Sequence, residues 1–188
     1  MSIFSNPASR SLEQAQDYTQ AILELLGTRD PLGVLRATPE ALRHGVEGMT
    51  VAQLAEPEAV GRWSVSHVLQ HLADSELVWG YRLRMVLASD RPPLTGYDQD
   101  RWAERFRYDQ ADVAEALDVF TVLRRANLRM LEPATEADLQ RIGLHAERGE
   151  ESVAHMIRLD AGHDLLHLRQ IERIRRAVIG RLQSLLET

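Results

Sequence analysis

The segment from residue 156 to residue 178 reads MIRLDAGHDLLHLRQIERIRRAV. One set of its positions advances by threes and fours, which is the spacing of a single face of an α-helix. Apolar side chains occupy both ends of this face, and His163 and His167 occupy its middle. The segment therefore predicts a core-facing helix that carries two histidine rings, one turn apart, on its inward side. The positions of this face are Met156, Asp160, His163, His167, Ile171, Ile174 and Val178.

The whole chain has the composition of one globular domain spanning residues 1–188. Its 188 residues are 44% hydrophobic and 27% charged, and the formal charge of −6 argues against a nucleic-acid-binding protein. Cysteine is absent, so only His, Asp and Glu remain as strong side-chain ligands for a metal. We find neither a signal pattern in residues 1–10 nor a run of about 18 apolar residues, and we therefore expect a cytoplasmic protein without a membrane segment.

Three more helices follow from the same period. The first is predicted from Ser11 to Leu26, before Gly27. The second follows an N-cap at Ser64 and extends to Ala88. The third begins at Asp109 or Gln110 and ends at Leu131, and the fourth, which contains the histidine pair, runs from Glu151 to Leu186 with an interruption near Gly180.

The intervening segments are predicted to be irregular. Proline and glycine punctuate the chain from Asp30 to Pro57, which favours short turns and loops there. A loop with one short helix, near Asp98 to Glu104, is expected after the second long helix, and the connection containing Gly143 and Gly149 is either an irregular crossover or a short hairpin. In no segment do apolar and polar residues alternate convincingly with the period of two that is typical of a β-strand. The predicted fold is therefore all-α, an antiparallel four-helix bundle.

A third histidine is needed to complete a metal site with the pair. His71 lies beside the inward face of the second helix and is the best candidate, whereas His67 falls in its first turn and is expected to be exposed or to pack. Spacing alone leaves an alternative open, because inward histidines also occur as core residues hydrogen-bonded to carboxylates or carbonyls.

Three segments together resemble the DinB-like four-helix bundles, and within them the YfiT-type metal-dependent hydrolases. These segments read WSVSHVLQHLADSE over 63–76, PPLTGYDQDRW over 92–102 and GHDLLHLRQIE over 162–172. The resemblance implies a bundle with a long crossover connection, frequent homodimers, and a divalent metal held by His71, His163 and His167. One departure is that the family looks richer in histidine just before the pair, where this chain has Asp160, Ala161 and Gly162.

Three neutral histidines would leave a metal position open for water, which is the form of a catalytic site, and imidazole ligands suit zinc or nickel. The candidates for proton transfer or for orienting a ligand are Asp160, Asp164 and Asp74. The resemblance places Tyr97, Asp98 and Trp102 near the mouth of the site, and Tyr97 is a fourth candidate for a catalytic role. We expect a metal-dependent hydrolase of a small molecule. The alternatives are a transferase or isomerase that uses a low-molecular-weight thiol, and a non-catalytic metal-binding bundle of a stress response.

Overall fold

The computed structural model describes the backbone of residues 12–186 and the side chains of residues 17–181. Ser11, the predicted start of the first helix, lies outside these ranges. The elements in chain order are α1 (Leu12–Leu26), α2 (Pro31–Val46), α3 (Val51–Ala55), α4 (Val65–Ala88), β1 (Pro93–Leu94), α5 (Gln99–Arg105), a 3-10 helix (Tyr108–Gln110), α6 (Val113–Leu131), α7 (Glu136–Leu139), β2 (Ile142–His145), β3 (Gly149–Ser152) and α8 (Val153–Leu186). None of the helices in this part of the chain is long and apolar enough to cross a membrane.

The four-helix bundle consists of α2, α4, α6 and α8, and α1 packs against α8. Helices α4 and α6 run in the same direction, because Glu76 contacts Arg124 and Gly80, one turn further, contacts Asn127. Cross-helix contacts show that α2 and α8 run in the opposite direction. Two parallel pairs therefore face each other in antiparallel orientation, and the expectation of an all-α four-helix bundle is confirmed.

A long crossover joins the parallel neighbours α4 and α6. From residue 89 to residue 112 the chain passes through β1, α5 and the 3-10 helix, and it returns along α4 until the hydroxyl of Tyr108 donates a hydrogen bond to Asp74. The predicted short helix in this loop is present as α5, which Asp98 caps by accepting hydrogen bonds from the amides of Asp100 and Arg101. The crossover that the family resemblance implied is thus confirmed.

The prediction of loops between Asp30 and Pro57 is wrong, because α2 is a bundle helix. Asp30 caps it and Pro31 stands in its first turn, where proline is well tolerated. Pro39 inside the helix has no N–H to donate to the carbonyl of Leu35, and that carbonyl instead accepts a hydrogen bond from Arg124 at 3.1 Å. A tertiary contact thus satisfies the group that the proline leaves unpaired.

Other boundaries differ from their predictions. Helix α6 begins at Val113 and not at Asp109 or Gln110, because Asp112 accepts hydrogen bonds from the first free amides. Helix α8 begins at Val153 and continues without interruption through Gly180.

The connection before α8 forms a short hairpin, one of the two predicted alternatives. Strands β2 and β3 are antiparallel, and β1 pairs with β2 in parallel through Pro93 and Leu144. This small three-stranded sheet was not predicted, since strands of two to four residues are too short to show a period of two. The sheet lies beside the C-terminal end of α4 and the start of α8.

Candidate metal centre

The structure brings His71, His163 and His167 together between α4 and α8. The Nε2 atom of His163 lies 3.1 Å from Nε2 of His71 and 3.1 Å from Nε2 of His167. Ligand nitrogens at about 2.1 Å from one divalent ion are roughly 3.0–3.4 Å apart in octahedral or tetrahedral geometry. Two of the three nitrogen pairs therefore have the spacing of ligands to a single metal ion, and the candidate ligand atoms of all three residues lie within 4.8 Å of one another.

Burial keeps all three rings in the neutral form that binds metals. His71 and His167 are buried and His163 is half-buried. Burial is the main cause that lowers the pKa of each ring, and for His167 it lowers the pKa to about 4. The neighbouring histidines lower the pKa values of His71 and His163 further. At neutral pH each imidazole thus offers an unprotonated nitrogen.

Gln170 orients the ring of His167. Its Oε1 atom lies 2.8 Å from Nδ1 of His167, and because a carboxamide oxygen only accepts, Nδ1 carries the proton. The Nε2 atom of His167 is then unprotonated and directed at the other two rings. Trp63 packs against the cluster, with its ring centroid 5.2 Å from that of His71. The sequence analysis identified neither residue, although the spacing of Gln170, three residues after His167, is a detectable signal.

His67 is a packing residue, one of the two expected alternatives. Its Nδ1 atom lies 2.9 Å from the hydroxyl of Ser64, the N-cap of α4, and its ring stacks on Trp63 at 6.3 Å between centroids. It is absent from the groups of potential metal ligands among the described residues.

An open cleft of about 680 Å³ reaches the histidine cluster at His71 and His163. This volume includes space that is open to solvent. The cleft is bounded by side chains of α1, α4, α8, the crossover and the hairpin, and its polar lining consists of Tyr18, Thr19, Ser75, Arg82, Tyr97, Arg148, Glu151 and Asp160.

Asp160 and Asp164 lie beside His163, and both bind the buried guanidinium of Arg124. Carboxylate oxygens of the two aspartates are within 4.8 Å of a ring nitrogen of His163. Asp164 accepts hydrogen bonds from Arg124 through both oxygens, at 2.5 and 3.1 Å. Asp160 uses one oxygen, Oδ2, at 3.1 Å, and its side chain also lines the cleft. The two candidate carboxylates therefore differ, because only Asp160 reaches the cleft.

Glu76 completes a charge cluster around Arg124. It accepts a hydrogen bond from Nε of Arg124 at 2.8 Å and another from Asn127 at 2.7 Å. Burial raises the pKa values of Glu76 and Asp160, and Arg124 opposes that rise. One arginine thus faces three carboxylates in the centre of the bundle, next to the histidines. The sequence analysis missed this cluster, but the α6 positions 117, 120, 124, 127 and 131 share a buried face on which an arginine and an asparagine interrupt apolar residues.

The remaining candidates, Asp74 and Tyr97, have different surroundings. Asp74 accepts hydrogen bonds from Tyr108 and Gln70, and burial raises its pKa. The contacts found for Asp74 therefore hold the crossover against α4 and orient none of the three histidines. Tyr97 lines the cleft, hydrogen-bonds Ser75 and packs on Trp102 at 4.5 Å between ring centroids. Burial raises the pKa of Tyr97 to about 12, so its hydroxyl is protonated and able to donate.

Comparison with known proteins identifies the family. Residues 35–171 match the model of the DinB superfamily, a span that contains the three histidines and all four bundle helices in whole or in part. The chain belongs to the DinB superfamily. The same span includes the crossover, Arg124 and Gln170, but it does not include α1, whose side chains also line the cleft.

Relatives with similar sequences carry a common description. A "Putative metal-dependent hydrolase" of Geobacillus thermodenitrificans is 30% identical over 139 residues, which cover 74% of this DinB chain and 71% of the relative. One of Oceanobacillus iheyensis is 29% identical over 133 residues, covering 71% and 77%. "Putative metal-dependent hydrolase YfiT" of Bacillus subtilis is 28% identical over 144 residues, covering 74% and 81%.

A solved structure is similar in fold as well. YfiT from Bacillus subtilis, described as "a probable metal-dependent hydrolase with an unusual four-helix bundle topology", superposes with a TM-score of 0.70 at 26% identity. The match covers 76% of this DinB chain and 84% of YfiT. The bundle with parallel α4 and α6 is thus a feature of the fold that the two proteins share.

Proposed function

We propose that this DinB protein is a metal-dependent enzyme that hydrolyses a small molecule, with one divalent ion held by His71, His163 and His167. The observation that carries the proposal is the convergence of the three Nε2 atoms, 3.1 Å apart in two of the pairs, at the inner end of an open cleft. The names of the relatives support metal dependence and hydrolysis at the level of the family.

The donor set suits zinc or nickel and supports a catalytic type of site. Three neutral imidazoles leave at least one coordination position for water or substrate, whereas a structural site is closed by a fourth protein ligand. Asp164 lies next to His163 in the chain, but both of its carboxylate oxygens accept hydrogen bonds from Arg124. When bound, the metal supplies a Lewis acid that polarises the substrate and makes water more acidic.

We assign the remaining roles at the site to side chains of the protein. Gln170 fixes the tautomer of His167 so that Nε2 is free to bind the metal. Asp160 is the residue that we assign to proton transfer, because one of its oxygens is held by Arg124 while the side chain lines the cleft. Its raised pKa, which burial causes, makes it a stronger base than an exposed aspartate. Tyr97 remains protonated and is placed to donate a hydrogen bond to the substrate.

A comparison of metal-free and metal-loaded protein tests the activity. Protein stripped with a chelator and reloaded with zinc or nickel is assayed against panels of small carboxylic esters, amides and phosphate esters. We expect hydrolysis only in the loaded protein, its loss in His163→Ala, and its retention in the matched control His67→Ala. Hydrolysis that persists at full rate in metal-free protein or in His163→Ala would contradict the proposal.

The same preparations separate water from a thiol as the nucleophile. The chain contains no cysteine, so a thiolate would have to be supplied by a second molecule. Loaded protein is therefore also assayed with an electrophile in the presence of a low-molecular-weight thiol. Conjugation without hydrolysis would favour the transferase alternative over the hydrolase. The homodimer and the cytoplasmic location stay predictions, and light scattering of the purified protein tests the first of them.

A further inference from the structure

Arg82 is an incompletely satisfied cation in the lining of the cleft. Its Nη2 atom donates a hydrogen bond to the carbonyl of Thr95 in the crossover, which orders the guanidinium. Its Nε atom is buried and has no hydrogen-bond partner. No ion pair found among the described residues includes Arg82. An unpaired buried donor is unfavourable, and here it belongs to a charged group beside a cleft.

Arg148 adds a second guanidinium to the same cleft. It pairs with Glu151 through Nε and Nη2, so that this carboxylate is already committed to Arg148. Burial and then Arg148 lower the pKa of Arg82, whereas Tyr97, Glu151 and Glu147 raise it. Burial, followed by Arg148 and Arg82, lowers the pKa of His145 to about 4, and Glu151 opposes this shift.

We propose that Arg82, with Arg148 beside it, binds an anionic group of the substrate, either a carboxylate or a phosphate. The inference rests on the proposed function in that it assigns this anion to the molecule that reacts at the histidines. A guanidinium whose Nε–H is unpaired has the planar donor geometry that carboxylate and phosphate oxygens accept. The bound anion would supply the missing acceptor for Nε and the counter-charge that Arg82 lacks among the described residues, whereas Arg148 already has Glu151.

The distance along α4 between the histidine cluster and Arg82 indicates the length of the substrate. Arg82 follows His71 by eleven residues on α4, which is about 16 Å along the helix axis at about 1.5 Å per residue. An arginine side chain in a helix leans towards the N-terminus, so its donors lie closer to the histidines than its Cα atom does. The anionic group and the reacting bond would therefore be roughly 10–16 Å apart, which describes an elongated small molecule.

Anion binding to metal-free full-length protein tests the proposal apart from the metal chemistry. Chelator-treated protein at low ionic strength is titrated with inorganic phosphate and, separately, with succinate, and the arginine Nε–H signals are followed by NMR. The signal of Arg82, assigned by its loss in Arg82→Lys, should shift with at least one of the two anions. Arg82→Gln should weaken that binding by about tenfold or more. The matched control is Arg101→Gln, which removes the same charge from an exposed position on α5 and should change binding less than about twofold.

The variants separate a binding role from a structural one. Arg82→Gln also loses the contact with Thr95, so its folding is checked by circular dichroism and thermal unfolding. Arg148→Gln leaves that contact intact and should also weaken anion binding. Response to phosphate alone or to succinate alone supports the proposal and identifies the anion. Absence of binding by the wild type, or equal binding by the wild type, Arg82→Gln and Arg148→Gln, overturns it. Because the titration uses no metal, these outcomes leave metal-dependent hydrolysis to be judged by its own assay.

Discussion

Replacing Arg124 with methionine should cost this protein a large part of its stability. The arginine side chain is 1% exposed, and its carboxylate partners Glu76, Asp160 and Asp164 are 0%, 6% and 1% exposed. Methionine has a similar length and no charge, so Arg124→Met leaves three buried carboxylates without their cation. The substitution also removes the donor that satisfies the carbonyl of Leu35, which Pro39 cannot replace.

The expected loss follows from the burial of these groups. Removing one partner of a buried ion pair typically costs about 3–5 kcal/mol. An unsatisfied buried carbonyl adds about 1–3 kcal/mol when it stays dry. Because the two effects share one side chain and do not add fully, we expect the free energy of unfolding to fall by about 4–6 kcal/mol. Domains of this kind have about 5–15 kcal/mol in total, so the variant should be marginally stable.

The loss should depend on pH in a defined direction. Burial already raises the pKa values of Glu76 and Asp160, and removal of Arg124 raises them further. At pH values between the pKa of these two carboxyl groups in the unfolded chain and their raised pKa in the folded variant, the native state binds more protons than the unfolded state. Its stability therefore increases as the pH falls through this range. The deficit relative to the wild type should be smaller at pH 5 than at pH 7.5.

Urea unfolding followed by circular dichroism at both pH values measures the effect. The matched control is Arg43→Met, which removes an exposed ion pair between α2 and α6, with side chains 43% and 71% exposed for Arg43 and Asp118. This control should lose less than about 1 kcal/mol. A loss below about 1 kcal/mol in Arg124→Met, or a deficit that grows as the pH falls, would refute the assigned role of the buried cluster.

Two further predictions concern the orientation of His167 and the packing of α1. Gln170→Leu removes the acceptor for Nδ1 of His167 and should weaken metal affinity by about 10–100-fold, as measured by competition with a chromophoric chelator; unchanged affinity would contradict the orienting role. Gly162→Ala should destabilise the fold by about 1–3 kcal/mol, because a Cβ atom there would lie 2.3 Å from the carbonyl oxygen of Ile22. For Gly180→Ala in the same helix, the new Cβ atom would have no neighbour within 4 Å among the described residues, and the substitution should be neutral or stabilising; equal effects of the two substitutions in thermal unfolding would contradict this view of the α1–α8 contact.

The elements that the sequence predicted well are those with long regular periods. Helices α4 and α8 have continuous inward faces, and Ser64 is a side-chain cap visible in the sequence. Helix α2 was missed because Pro39 normally ends a helix, and the contact that compensates for it comes from Arg124, 85 positions away in the chain. Local rules cannot anticipate such a partner. The short strands are likewise specified by pairing with each other and show no pattern of their own.

In the candidate site, too, residues on the face of one helix could be predicted, whereas contacts between helices could not. His163 and His167 were predicted from their own helix, and His71 from a neighbouring position on α4, since each interrupts or borders an apolar face. The grouping of Asp160 and Asp164 around Arg124 depends on the packing of α6 against α4 and α8, which no single helix reveals. Arg82 is also ambiguous in the sequence, because an arginine on a helix is usually solvated and only the crossover gives it a buried Nε atom.

The central claim is that His71, His163 and His167 together hold one divalent metal ion. Elemental analysis of purified protein by mass spectrometry, with the protein concentration determined independently, tests it most directly. The wild type and His67→Ala should contain about one zinc or nickel ion per chain, and the triple variant His71→Ala, His163→Ala, His167→Ala should contain essentially none. Full metal content in the triple variant, provided that it is folded, would contradict the assignment.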